Sequence, residues 1–309
     1  MSRTVLLATE KPFSASARNE VVAIIEQAGY TARVLESYKG KAPLIEAIAD
    51  ADAAIVRSDI IDAEVLAGAS KLALVVRAGA GYDNIDCAAA KAKNVAVMNT
   101  PGQNANAVAE LVFGMLVYMA RGKFNGKTGA ELRGKTIGLH AFGAVGRAVA
   151  AIAKGFGMRT LAFDPFVKAE QIQQGGAEAV SSVEELYKGS EYISLHIPAT
   201  AQTKGSIGKQ LLSLMPKGAT LVNTARKEVI NEAELLEVFE ARKDFRYVSD
   251  IAPSDATAAA LKEKFADRVY FTPAKMGAQT EEANVNAGLA AARQIVGFFE
   301  RGEKQFIVN

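Results

Sequence analysis

Cysteine is almost absent from this chain: among 309 residues only Cys87 carries a thiol. One thiol excludes an internal disulfide and fits a reducing compartment. Long apolar runs are missing too, since no stretch approaches the roughly 20 residues of a membrane span. The N-terminus enters a strand-like Val5-Leu6-Leu7-Ala8 without the basic start and cleavage pattern of a signal peptide. Charge of one sign is also lacking. A formal net charge of +2 leaves no concentrated basic surface for nucleic acid or a membrane, and Lys39-Gly40-Lys41 reads as a solvated loop. These absences imply a soluble cytoplasmic protein with no nucleic-acid or membrane partner, and no metal is expected. Histidine is scarce as well: only His140 and His196 are present.

Half of the residues are hydrophobic, so a chain of this length can build two domains with separate cores. Short β-rich runs alternate with helical spacing from end to end, the pattern of α/β folds with parallel sheets. The first series of strands is read at residues 5–8, 31–35, 53–56, 72–76 and 95–98. Helical periodicity lies between them at 17–28 and 43–49. A second series follows at 136–139, 160–163, 192–196, 220–222, 247–249 and 269–271. The fold class is therefore α/β, with two doubly wound parallel-sheet domains. Two long helices are expected to join them, one over 104–119 and one from Thr280 towards Arg301-Gly302. The remaining tail, 303–309, is too short for a further domain.

The most informative stretch is Gly138-Leu-His-Ala141-Phe-Gly143-Ala-Val-Gly146. It follows a strand and opens a helix, the context a dinucleotide fingerprint requires. Ala141 stands where the G-x-G-x-x-G pattern has its first glycine. Gly143 lets backbone approach a pyrophosphate, and Gly146 lets helix and strand pack closely. The N–H groups around Gly143, Ala144, Val145 and Gly146 would meet the phosphates at the positive end of a helix dipole. Asp164 ends the next strand, 18 residues after Gly146, where a carboxylate accepts from the ribose hydroxyls of NAD and repels the extra phosphate of NADP. The cofactor is read as NAD.

With these residues in view, the chain resembles the D-isomer-specific 2-hydroxyacid dehydrogenases, and within them the phosphoglycerate branch. The resemblance runs over about 50–309, through Gly134-Lys-Thr-Ile-Gly, Asp164-Pro, Ser194-Leu-His196-Ile-Pro198, Leu221-Val-Asn-Thr-Ala-Arg226 and Asn99-Thr-Pro101. Val56-Arg57-Ser58 and Arg77-Ala-Gly79-Ala-Gly81-Tyr-Asp83-Asn84 are similar to the phosphoglycerate branch in particular. It implies a flavodoxin-like substrate domain from 1–100 plus 283–309, a Rossmann NAD-binding domain over 101–282, and a cleft where they meet. It also implies a homodimer and cofactor contacts from His196, Pro198, Thr224 and Asp250. Substrate contacts are implied for Arg57, Ser58, Arg77, Ala78, Gly79, Ala80 and Asn104. The activity implied is NAD-dependent oxidation of 3-phosphoglycerate to 3-phosphohydroxypyruvate, the first step of serine synthesis. Because the chain stops at Asn309, the C-terminal regulatory domain of longer relatives is expected to be missing, and with it serine inhibition.

In this family's chemistry Arg226 matches the arginine that binds the α-carboxylate and polarises the α-oxygen. The proton-transfer pair departs from the pattern. Asp255 stands where Glu is expected, five residues after Asp250. Alignment from the downstream Gly277-Ala-x-Thr280 puts Lys275 at the histidine position, whereas alignment from Thr272-Pro273 puts Ala274 there. Neither histidine is available for the role, since both belong to cofactor-domain strands, so Lys275 is favoured as the acid–base. Its amine must be neutral to accept a proton, and the reference pKa is about 10.4. Oxidation is therefore expected to accelerate towards alkaline pH. Asp255 either holds the lysine or, being one methylene shorter than Glu, sits too far back. Lys227, in place of the family's usual glycine, has no account. The nearest alternative is a glyoxylate or hydroxypyruvate reductase on the same fold; the alternative of another class is a non-catalytic NAD-sensing protein.

Overall fold

The computed structural model describes residues 2–309. The chain divides into two compact units, one formed by residues up to Asn104 together with Thr280–Asn309, the other by Ala105–Gln279.

The first unit holds a sheet of β1 (Thr4–Thr9), β2 (Thr31–Glu36), β3 (Ala53–Val56), β4 (Leu74–Arg77) and β5 (Ala96–Asn99). All five are parallel, in the order β2-β1-β3-β4-β5, the doubly wound order of flavodoxin-like folds. Alternation sends Val5 and Leu7 into one core and Leu6 and Ala8 into the other. Burial on both faces explains why these strands read as continuous apolar runs. The helix Ala15–Gln27 starts at Ser14, whose hydroxyl accepts from Ala17 N–H at 3.3 Å. The helix Glu281–Arg301 begins at Thr280, which accepts from Ala283 N–H at 3.1 Å, and stops at left-handed Gly302. Its buried stripe of Ala283, Ala287, Gly288, Ala291 and Ala292 is small enough for a close approach to Val21 of the helix Ala15–Gln27. The C-terminal tail lies along β5, with Val308 N–H donating to the Val97 carbonyl at 2.9 Å and the Asn309 amide spanning Val95 and Val97. That pairing covers a sheet edge.

The second unit contains β6 (Thr136–His140), β7 (Arg159–Phe163), β8 (Glu178–Ala179), β9 (Tyr192–Leu195), β10 (Thr220–Asn223), β11 (Arg246–Ser249) and β12 (Val269–Phe271). They form one parallel sheet ordered β12-β11-β10-β9-β6-β7-β8. The order reverses between β6 and β9, the arrangement in which ligands bind beyond the carboxyl ends of the strands. The fold class read from the sequence is what the molecule adopts. The two-residue β8 is an addition, too short to give periodicity. Among the described residues, no helix is long and apolar enough to cross a membrane, and no group of three His, Cys, Asp or Glu is placed to hold a metal.

Candidate active site

In the second unit every residue singled out for cofactor or chemistry lies at or just beyond the carboxyl end of a strand. The glycine loop follows β6, Asp164 follows β7, His196 follows β9, Arg226 follows β10, Asp250 follows β11 and Lys275 follows β12. Parallel pairing puts these ends along one edge of the sheet.

The glycine loop is held from both sides. Ala141 N–H donates to the Phe163 carbonyl at 2.9 Å, and Phe142 N–H to Asp164 Oδ2 at 2.8 Å. Asp164 Oδ1 accepts from Phe166 N–H at 2.9 Å, so one carboxylate fixes both the loop and its own turn. Ala141 adopts φ +87°, the left-handed conformation that explains why glycine is usual there. Gly143 is the N-cap of the helix Ala144–Gly155 and has no side-chain cap. The first helical N–H groups therefore have no intrahelical acceptor, and a Cβ at Gly143 would meet nothing within 4 Å. Two buried polar atoms among the cofactor candidates, His196 Nε2 and Thr224 Oγ1, find no partner among the described residues. An open helix N-terminus beside a carboxylate, with unsatisfied polar groups on neighbouring strand ends, fits a dinucleotide. Pro198 is exposed.

Both histidines are neutral. Burial pulls His140 down to about 4, against the pull of Asp164, and burial with the nearby His140 takes His196 down to about 3. His140 Nδ1 lies 3.2 Å from the Tyr187 hydroxyl. An unfolded histidine titrates near 6.5, so the contribution of these rings to stability is complete above that pH. It is lost as pH falls towards the folded values, because the unfolded chain takes up protons that the folded chain resists. Thermal unfolding should therefore shift to lower temperature between about pH 6.5 and 5, before most carboxylates titrate. A midpoint that stays flat across that interval contradicts the assignment.

Arg226 is half-buried and its backbone is fixed by Asn223. The Asn223 amide donates to the Arg226 carbonyl at 2.9 Å, and its Oδ1 accepts from Ala225 N–H at 2.9 Å. This turn is what the Asn of Asn-Thr-Ala-Arg does. Arg226 Nη1 also donates to the Ala225 carbonyl at 3.1 Å. Lys275 sits on a loop clamped by Asp250. The Asp250 carboxylate is buried and accepts from Met276 N–H and Gly277 N–H, both at 2.8 Å, and from the Thr272 hydroxyl at 3.1 Å. A Cβ at Gly277 would come within 2.8 Å of Asp250 Oδ2, so glycine is required for the clamp. Asp255 is exposed as the first residue of the helix Asp255–Phe265, where a carboxylate suits the helix dipole. The segment before it is held by Glu232, whose Oε1 accepts from Ser254 N–H at 2.8 Å and whose Oε2 accepts from the Ser254 hydroxyl. Sequence reading missed Glu232 and the clamping job of Asp250, since their partners lie 22 to 27 residues away.

The substrate candidates belong to the first unit. Arg57 and Ser58 follow β3, and Arg77 ends β4 ahead of the loop Ala78-Gly79-Ala80-Gly81. Arg77 Nε donates to the Arg57 carbonyl at 3.0 Å. Its guanidinium lies against Gly79, where a Cβ would be only 1.3 Å from Arg77 Nη1. The loop is tied to β5 through Thr100 N–H to the Gly79 carbonyl at 3.0 Å and the Asn99 amide to the Ala80 carbonyl at 2.6 Å. Asn104 closes this unit's first segment. Lys41, in the loop read as solvated, is paired with Asp62 and Glu64.

Comparison with known proteins decides the family. Residues 107–273 match the model of the D-isomer specific 2-hydroxyacid dehydrogenase, NAD binding domain. The chain belongs to the D-isomer specific 2-hydroxyacid dehydrogenase family. Within that family it is 37% identical to D-3-phosphoglycerate dehydrogenase of Methanocaldococcus jannaschii, over 82% of this chain and 51% of that one. It is 34% identical to hydroxypyruvate reductase of Thermotoga maritima, over 85% of this chain and 89% of the relative. The chain spans about half the length of the first two curated relatives it matches. Among solved structures, NAD+-bound 3-phosphoglycerate dehydrogenase of Entamoeba histolytica superposes with a TM-score of 0.89 at 44% identity, covering 100% of this chain and 99% of that one.

Proposed function

We propose that this chain is an NAD-dependent dehydrogenase that oxidises D-3-phosphoglycerate to 3-phosphohydroxypyruvate, feeding serine synthesis. The observation that carries the reading is the end-to-end similarity to the NAD+-bound Entamoeba enzyme, together with a cofactor edge whose open helix N-terminus and Asp164 fit that dinucleotide. Gly143, Ala144, Val145 and Gly146 would hold its phosphates, Asp164 its ribose, and His196, Pro198, Thr224 and Asp250 would line its nicotinamide half. Bound NAD supplies an electrophilic nicotinamide carbon that accepts a hydride. Arg226, with its backbone fixed by Asn223, binds the α-carboxylate through its planar fork and polarises the α-oxygen. Lys275, as the neutral amine, takes the proton of the α-hydroxyl as the carbonyl forms, and Asp255 supports its charged form. Arg57, Ser58, Arg77, the 78–80 loop and Asn104 bind the rest of the substrate, with the arginines on its phosphate. The reading includes a homodimer working in the cytoplasm, where the free Cys87 stays reduced.

Reduction of hydroxypyruvate is a second reading, favoured by the near full-length match to the Thermotoga reductase. The deciding experiment follows NADH with purified protein, NAD and 3-phosphoglycerate from neutral to alkaline pH, then runs the reverse direction with hydroxypyruvate and NADH. Turnover of the phosphorylated acid with a rate still rising above pH 8 is expected. Preference for unphosphorylated hydroxypyruvate would favour the reductase, and NAD binding without turnover of either would remove both.

A further inference from the structure

The Arg57-Ser58 turn is followed by a carboxylate that no motif flagged. Asp59 is only 6% exposed, and all three of its hydrogen-bond donors come from strand-end loops. Oδ1 accepts from Glu10 N–H at 2.6 Å, after β1, and from the Tyr38 hydroxyl at 2.6 Å, after β2; Oδ2 accepts from Arg57 N–H at 2.9 Å, after β3. These three strands are neighbours in the sheet. Burial, and then the hydrogen bond to Asp59, push the Tyr38 hydroxyl's pKa up, so it stays a donor. The turn is fastened from the other side by the Asn84 amide, which donates to the Asp59 carbonyl at 2.7 Å, and by Arg77 Nε on the Arg57 carbonyl.

We infer that Asp59 is a positioning residue that builds a phosphomonoester site from three loops, on the reading that this family member takes a phosphorylated acid. The loops it ties together carry Lys11, Lys39 and Arg57. The Arg57 guanidinium is already oriented by its neighbours. Nη1 donates to the Lys11 and Pro12 carbonyls at 2.9 and 3.0 Å, Nη2 donates to Asn284 Oδ1 at 2.5 Å, and the group lies 4.9 Å over the Phe13 ring. It lines a cavity of about 260 Å³ with Pro12, Phe13, Ser14, Glu281 and Asn284. A buried carboxylate is costly unless its oxygens are satisfied, and Asp59 meets that condition by turning both oxygens onto loop donors. Its charge is thereby spent on holding the loops and does not compete with the ligand. An amide at this place would set an N–H against one of the donors, so Asp59→Asn loosens the loops with no change of volume.

The test measures inorganic phosphate and 3-phosphoglycerate binding by calorimetry in the full chain and in Asp59→Asn and Tyr38→Phe. Michaelis constants for 3-phosphoglycerate and unphosphorylated D-glycerate are measured alongside. Asp59→Asn should weaken both phosphorylated ligands about tenfold, the loss of one charge-assisted hydrogen bond. Tyr38→Phe, which keeps the carboxylate, should weaken them about threefold, the loss of a neutral-donor contact. NAD affinity and the D-glycerate constant should move less than about twofold. Equal losses for phosphorylated and unphosphorylated acids, or phosphate affinity unchanged in both variants, would overturn the assignment. If Asp59→Asn does not fold, the Tyr38→Phe ratio decides alone. A full chain that binds phosphate without oxidising 3-phosphoglycerate removes the catalytic reading while the binding ratios still judge Asp59. A full chain that binds no phosphate removes the site itself.

Discussion

Lys275→Ala should lower the turnover of 3-phosphoglycerate by about 10²–10⁴-fold, the usual contribution of a positioned general base. The loss should fall on kcat at saturating substrate, with NAD affinity unchanged, because the glycine loop and Asp164 belong to other strand ends of the sheet. The backbone of the loop should survive the change. Asp250 grips it through the Met276 and Gly277 N–H groups, and neither bond involves the lysine side chain. The pH profile separates chemistry from mere structure. An amine acts as a base only in its neutral form, and reference lysines titrate near 10.4, so the parent rate should rise well into the alkaline range. Lys275→His, with a reference pKa near 6.5, should recover part of the rate and complete its rise near neutrality. A Lys275→Ala protein retaining more than about a tenth of the activity would hand the proton to another group. Unchanged pH dependence in Lys275→His would do the same.

What could be read without coordinates, and what could not, divides along the range of the interactions concerned. Parallel strands buried on both faces announce themselves as apolar runs, which is why β3 falls at the expected residues; the edge strand β12 does so too, although its Tyr270 is only half-buried. The other expected strands shift by a residue or two, since strand ends are set by partners and not by composition. The fingerprint and Asp164 were legible because backbone geometry dictates glycine and carboxylate at short fixed spacing. Residues 122–124 were not. Gly122, Lys123 and Phe124 all adopt φ near +57°, and Lys123 is drawn there by the carbonyls of Ala266 and Val269, more than 140 residues away. Arg57 was legible as a basic residue at a strand end, but not its fixation by Lys11, Pro12 and Asn284. Asp59, Glu232 and the clamping role of Asp250 were invisible for one reason: a carboxylate that organises loops looks in sequence like any solvated acid until its donors are known.

Gly146→Val should weaken NAD binding at least 100-fold while leaving phosphate binding by the first unit alone. A Cβ at Gly146 would lie 2.6 Å from the Ala141 carbonyl oxygen, against roughly 3.4 Å for an ordinary contact. A backbone oxygen cannot swing aside as a side-chain tip can. Either the helix Ala144–Gly155 or the turn at Ala141 must retreat by several tenths of an ångström. The turn has little freedom, being tied by Ala141 N–H to Phe163 and by Phe142 N–H to Asp164. The shift therefore appears in the helix N-terminus, whose N–H groups are the proposed phosphate donors. Hydrogen bonds to a charged group contribute about 1.5–3 kcal/mol each, so misplacing two of them reaches a hundredfold or more. Ala141→Gly is the matching control. It removes a left-handed alanine, a conformation costing about 1–3 kcal/mol, against roughly 0.4–1 kcal/mol of added unfolded-chain entropy. A gain of about 1 kcal/mol in unfolding free energy with NAD affinity preserved is the expected result. Fluorescence titration of NADH gives the affinities and denaturant unfolding the stabilities. A folded Gly146→Val protein that binds NADH within tenfold of the parent would mean that this helix N-terminus is not where the dinucleotide phosphates are held.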